Sequence, residues 1–214
     1  MKKFLVLVLS VIIVMGALST SAAAMRISDR FDDVREDMWY AGSIRDVVEK
    51  GLMNGVTERT FGPQLPLTRG MLTTIIYRLH GEPDAGVPYF ADVGKDTYYA
   101  KPIAWASECG VVNGVSATEF APDVNVTREQ MITMFYRYCK YIGMDMNARY
   151  ENIPLSTYSD YKEISGYATD AVKWAGDMGL IYAMDGKFLP RDDSTRAYTS
   201  SVLDGVYKRI KNRQ

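Results

Sequence analysis

The sequence predicts an all-α protein made of three helix–loop–helix repeats. The first observation is self-similarity. Phe31, Phe90 and Tyr158 each open a segment in which a Phe follows 30 residues later (Phe61, Phe120, Phe188) and a Pro 32 later (Pro63, Pro122, Pro190). A Thr-Arg pair follows 37 and 38 later: Thr68-Arg69, Thr127-Arg128 and Thr195-Arg196. A recurring pattern of this length means copies of one supersecondary unit. The second observation is that apolar residues on either side of the Phe-Pro stretch recur at helical spacing. The third is a glycine at the end of each first apolar stretch: Gly51, Gly110 and Gly179.

Residues 1–24 read as a secretory signal peptide. A basic start (Lys2, Lys3) precedes an apolar run over 4–18, and Ala22-Ala23-Ala24 fits a small-residue cleavage site. The run is too short for a good membrane span, and no later segment could cross a bilayer. The first repeat occupies 28–83. Tyr40, Ala41, Ile44, Val47 and Val48 form its first helix, which Gly51 stops in a left-handed cap. Leu72, Ile75, Ile76 and Leu79 form the apolar face of its second helix. The second repeat, 87–143, has Tyr99, Ala100, Ile103 and Ala106, and then Met131, Met134, Phe135 and Tyr138. Residues 144–154 read as a linker, where most of the wider second spacing falls. The third repeat, 155–214, has Tyr167, Ala168, Ala171, Trp174 and Ala175, then Thr199, Val202, Leu203 and Val206. Its first helix reads as one residue longer, and its following loop one shorter. Each inter-helix loop is long enough to fold on itself, with its Phe tucked underneath. Units of about 55 residues are individually marginal and should fold against one another.

Removing residues 1–24 leaves 190 residues and takes the formal charge from −1 to −3. Without a basic excess, nucleic acid is a poor partner. An anionic partner would have to be held by local cations. Export permits a disulfide between Cys109 and Cys139. The matching positions of the first repeat are Lys50 and His80, so the architecture does not need one, and two unpaired thiols are expected. His80, the only histidine, falls in the last turn of a helix, where a surface role is expected. The sequence points to no cofactor, and the usual zinc ligands are too few.

Thr68, Thr127 and Thr195 stand where a helix should begin and can cap it. Gln130 completes a capping box with Thr127. The arginine after each is unusual, because a cation at a positively polarised helix start is disfavoured by roughly 0.3–1 kcal/mol. Repeated breaks of a local rule tend to mark functional sites. Free N–H groups at a helix start plus a guanidinium would make an anion site. An internal salt bridge to Asp33, Asp92 or Asp160 explains the spacing equally well.

These residues resemble S-layer homology domains over nearly all of the expected mature chain. Phe31-Asp32-Asp33-Val34 and Phe90-Ala91-Asp92-Val93 resemble the family's opening. Gly51-Leu52-Met53-Asn54-Gly55 and Gly110-Val111-Val112-Asn113-Gly114 resemble its Asn-Gly turn, and the Thr-Arg pairs its signature. The resemblance implies three units packed as a pseudo-threefold bundle at the bacterial surface. It implies non-covalent attachment to a secondary cell-wall polysaccharide linked to peptidoglycan, often pyruvylated, with Arg69, Arg128 and Arg196 on the acidic group in grooves between units. Thr68, Thr127, Thr195, Asn54, Gly55, Asn113 and Gly114 join the candidate site by motif. Trp39 and Tyr98, with Tyr40, Tyr99 and Tyr167, could stack on sugar rings or pack between units. The signature Glu is replaced by Met71, Gln130 and Tyr198, and Gly70 weakens the first helix start. The third unit has Tyr182-Ala183-Met184-Asp185-Gly186 in place of the Asn-Gly turn. Its site departs furthest from the pattern.

Two other classes compete with a wall anchor. An exported wall-polymer hydrolase needs a catalytic constellation, and no carboxylate pair stands apart from the repeats. A surface scaffold would bind other surface proteins. The basic end of the last helix (Lys208, Arg209, Lys211) suits either its dipole or an anionic wall.

Overall fold

A computed structural model describes residues 25–147, 151 and 153–212. The expected signal peptide and part of the linker lie outside the described residues. Within them the chain is all-α, as the sequence predicts, and no helix is long and apolar enough to cross a membrane.

A four-residue helix α1 (Ile27–Arg30), absent from the sequence reading, seats Ile27 against α2. The first helices of the three units are α2 (Ala41–Glu49), α4 (Ala100–Glu108) and α6 (Thr169–Asp177), nine residues each. Their second helices are α3 (Arg69–Leu79), α5 (Arg128–Tyr141) and α7 (Arg196–Lys211). Each first helix runs into Gly51, Gly110 or Gly179 at φ +68°, +69° or +60°, the left-handed stop expected. The apolar stripes are buried in one continuous core.

The extra residue of the third unit is not in its helix. It is taken up before α6, where 3₁₀ turns span Tyr161–Glu163 and Gly166–Ala168. Ala168 therefore caps α6 as Tyr40 and Tyr99 cap α2 and α4. Tyr167 falls into register with Trp39 and Tyr98, not with Tyr40 and Tyr99 as periodicity predicts. That shift matters for the site.

The units contact one another in cyclic order: α3 on α4, α5 on α6, and α7 back on α2. A ring of three backbone bonds ties them: Leu67 N–H to the Ser194 carbonyl (3.0 Å), Ser194 N–H to Val126 (2.8 Å) and Val126 N–H to Leu67 (2.9 Å). Each bond joins a different pair of units, so no unit completes its backbone pairing alone. Part of the expected linker packs: Met144, Met146 and Ile153 lie against the core.

Both cysteines are free, Cys139 buried and its thiol pushed up to about 12 by burial. His80 is not a plain surface residue. It stacks on Trp105 with ring centroids 4.8 Å apart and meets Tyr138 edge-on, and burial lowers its pKa.

Candidate functional site

The repeated loop builds the same network three times. Phe61, Phe120 and Phe188 are fully buried, each beside its unit's opening ring at 5.4–5.9 Å. The N–H of each Phe donates to the aspartate of its unit (Asp33, Asp92 or Asp160) at 2.8 Å. The next N–H, from Gly62, Ala121 or Leu189, reaches the second carboxylate oxygen at 2.6–2.7 Å. Those three residues have φ of +74°, +59° and +58°, so Ala121 and Leu189 carry backbone strain that the paired bonds hold in place.

The carbonyl of the same Phe accepts from an arginine of the preceding unit in the cycle. Arg69 Nε donates to Phe120 (2.9 Å), Arg128 Nε to Phe188 (2.7 Å) and Arg196 Nε to Phe61 (2.7 Å). Arg69 also donates to the Asn113 carbonyl and Arg196 to the Asn54 carbonyl. The three guanidinium groups lie over the Phe rings, and the residues are 8%, 4% and 7% exposed. Burial draws the pKa of each below the ordinary arginine value.

This geometry corrects two sequence readings. The salt bridge to Asp33, Asp92 or Asp160 is not formed: among the described residues, a peptide group stands between each arginine and aspartate. The free helix-start N–H groups are not free either. Those of Arg69 and Gly70 go to the Val124 and Pro122 carbonyls, those of Arg128 and Glu129 to Asp192 and Pro190, and those of Arg196 and Ala197 to Leu65 and Pro63. The third N–H of each helix goes to the Thr hydroxyl, so Thr68, Thr127 and Thr195 are caps, with the capping box present at Thr127. The repeated proline supplies one of these carbonyls in each unit.

The Asp92 carboxyl is shifted by these surroundings. Burial pushes its carboxyl upward, but the N–H groups of Phe120 and Ala121 outweigh this and hold it below the ordinary aspartate value. Such a group contributes stability above its unfolded pKa and loses it as pH falls through the lower folded value. Thermal stability should therefore drop below about pH 4, and Asp92→Asn should flatten that part of the profile. A mutant profile as steep as the parent's would remove Asp92 from the account.

Three of the grooves between units correspond to one another by repeat position. The first, about 320 Å³, is lined by Asn54, Gly55, Thr74, Arg78, Tyr98 and Arg196. The second, about 370 Å³, is lined by Asn113, Gly114, Thr133, Arg137, Tyr167 and Arg69. The third, about 480 Å³, holds Trp39, Ser43, Tyr182, Met184, Tyr198 and Ser201. Each groove thus takes one member of the Trp39, Tyr98, Tyr167 set, which are 58%, 60% and 55% exposed, whereas Tyr40 is buried.

The cyclic offset reassigns the arginines. Arg196, from the third unit, serves the intact Asn-Gly loop of the first. Arg128 serves the divergent loop of the third, where its guanidinium sits 3.6 Å over the Tyr198 ring and bonds Met184 Sδ at 3.2 Å. It does not line that groove. The partly exposed cations in the other two are Arg78 and Arg137, which the sequence reading missed. Both lie 47 residues after the opening aromatic, and the third unit has Gly205 there, so the repeat itself carried the signal. Gly55 and Gly114 line the grooves for a packing reason. A Cβ on Gly55 would lie 2.3 Å from the Thr57 carbonyl oxygen and 2.6 Å from the Phe31 ring, and one on Gly114 2.5 Å from Phe90. With its amide oxygen turned toward Arg137, Asn113 accepts from Nη1 at 3.3 Å. Behind the second groove Glu129, itself buried, accepts from the Tyr167 hydroxyl at 3.0 Å and from Ser165, and so holds the tyrosine in place.

Clefts of ligand size thus lie between the units of a cyclic helical repeat. Residues 30–70 and 89–132 match the S-layer homology domain, and the third unit lies outside both matched segments. An endoglucanase of Bacillus sp. (strain KSM-635) is 31% identical over 95% of this chain and 21% of its own length. An amylopullulanase of Thermoanaerobacterium thermosulfurigenes is 28% identical over 89% of the chain and 10% of its own length. S-layer protein EA1 of Bacillus anthracis is 24% identical over 100% of the chain and 24% of its own length. The chain thus spans a quarter or less of these relatives. The matches point to the cell surface and to anchoring in the wall.

Proposed function

We propose that this chain is a secreted, non-catalytic wall anchor that holds an acidic secondary cell-wall polysaccharide in its first and second grooves. The observation that carries the reading is the pairing of cations. In each of these grooves a partly exposed arginine (Arg78 or Arg137) stands with an inward arginine at the edge of the cleft (Arg196 or Arg69), beside an exposed tyrosine. A guanidinium fork matches a carboxylate with two parallel bonds. A tyrosine ring supports the apolar face of the sugar that bears it. A pyruvyl ketal has this form, a carboxylate fixed to a sugar ring, and the S-layer homology resemblance favours it. Arg69 and Arg196 keep the floor in shape, while Arg78 and Arg137 meet the ligand.

The test is sedimentation of purified protein with peptidoglycan sacculi. Protein should pellet with sacculi that retain their polymer and stay in solution once acid has stripped it. Equal pelleting with stripped sacculi rejects the polysaccharide as ligand. Release of soluble sugar from the intact sacculi would move the chain to the hydrolase class.

A further inference from the structure

The third groove has a different chemistry from the other two, and we propose that it is a separate subsite for a neutral pyranose. None of its lining residues carries a charge. Arg128, which by repeat position should bring a cation to this cleft, is sealed beneath Tyr198 and bonded to Met184. The position of Arg78 and Arg137 is Gly205, where an added Cβ would lie 2.7 Å from Leu180 Cδ2. An anion entering here would lose its hydration and gain no accessible cation in return, which is unfavourable.

What the cleft does present is flat apolar surface with hydroxyls. Trp39, before α2, and Tyr182, from the divergent loop, are both more than half exposed, and Met184 is 47% exposed. Ser43 on α2 and Ser201 on α7 also line the cleft. A pyranose has an apolar C–H face that suits an aromatic ring and equatorial hydroxyls that suit serines. A purely apolar guest would leave the Ser201 hydroxyl unused, while Ser43, which donates to Asp204 Oδ2 at 3.4 Å, can still accept from a sugar hydroxyl. The volume of about 480 Å³ is within the range of small-ligand sites. The substitutions that remove charge and those that add aromatic surface fall in the same groove. The intact wall polymer would then be held at two kinds of position, by acidic groups in the first two grooves and by an uncharged sugar in the third.

Trp39 makes the test direct. Of the three tryptophans, Trp105 and Trp174 are buried, so a ligand-induced fluorescence change reports on Trp39. The full chain is titrated with chitotetraose and with maltotetraose, both uncharged. At least one should give a saturable change that persists in 0.5 M salt, about as strong as without salt, because no ion pair is involved. Tyr182→Ala should weaken it about tenfold, the equivalent of losing one stacking ring. For Trp39→Ala, whose exposed side chain leaves the fold intact, calorimetry should show a similar loss. Arg78→Ala with Arg137→Ala should leave the response unchanged while reducing sacculus binding. That split separates failure of this proposal from failure of the anionic-groove reading. No saturable response to either sugar, or undiminished binding by the Trp39 and Tyr182 variants, overturns the proposal.

Discussion

Arg196→Ala should lower the unfolding free energy by about 3 kcal/mol, even though Arg196 belongs to the repeated signature expected to bind ligand. Its guanidinium supplies bonds to the Phe61 and Asn54 carbonyls, more than 130 residues away in sequence, and lies 4.5 Å over the Phe61 ring. Each bond from a charged donor is worth about 1.5–3 kcal/mol, and its removal leaves an enclosed carbonyl without a partner. Relief of the buried charge offsets part of that loss. In a chain of this size the deficit corresponds to a fall in Tm of about 10 °C by circular dichroism. Lysine should not restore it, because one ammonium cannot reproduce the planar fork that spans two carbonyls. The loss should be shared by Arg69→Ala, whose two carbonyl bonds are equivalent. A variant melting within a degree or two of the parent would show that these arginines do not clamp the units.

Replacing both Arg78 and Arg137 with alanine should have the opposite profile, with stability kept and attachment lost. Among the described residues Arg78 makes one loose ion pair, at 3.8 Å to the exposed Glu82, and Arg137 reaches the Asn113 amide oxygen at 3.3 Å; such partly exposed contacts contribute little. Stability should change by less than about 0.5 kcal/mol. If each arginine makes one charge-assisted contact to the polymer, worth about 1.5 kcal/mol, the double variant should bind sacculi about a hundredfold more weakly. The parent's binding should weaken as salt is added, and the variant's residual binding should respond less. Binding that survives the double substitution would move the ligand away from these grooves. Taken together, the two experiments would separate arginines that build the clefts from arginines proposed to meet the guest.

The repeat spacing was sufficient to read the six main helices, the glycine stops, the threonine caps and the buried Phe of each loop. These depend on interactions within a few turns of chain, or on burial that any packed copy of the unit would impose. Trp39 and Tyr98 were legible as candidates because an aromatic recurs at that repeat position, but the repeat left stacking on sugar and packing between units equally open, and their exposure is a finding of the structure. Tyr167 was misaligned by one residue, since the 3₁₀ turns before α6 absorb an insertion that periodicity assigns to the helix. Arg78 and Arg137 were overlooked because they recur in only two units and sit outside any motif.

By itself, the sequence determined that the protein is a triplicated helical module whose arginines stand at helix entrances, because local propensity and apolar period are properties of neighbouring residues. Only the tertiary structure decided which loop each arginine enters. The units close in a cycle, so the cation of one unit completes the next. That offset places Arg196 with the intact loop of the first unit and buries Arg128 beneath Tyr198 in the third. Whether a charged side chain serves as scaffold or as ligand contact depends on which carbonyls surround it, and here those carbonyls come from a different repeat.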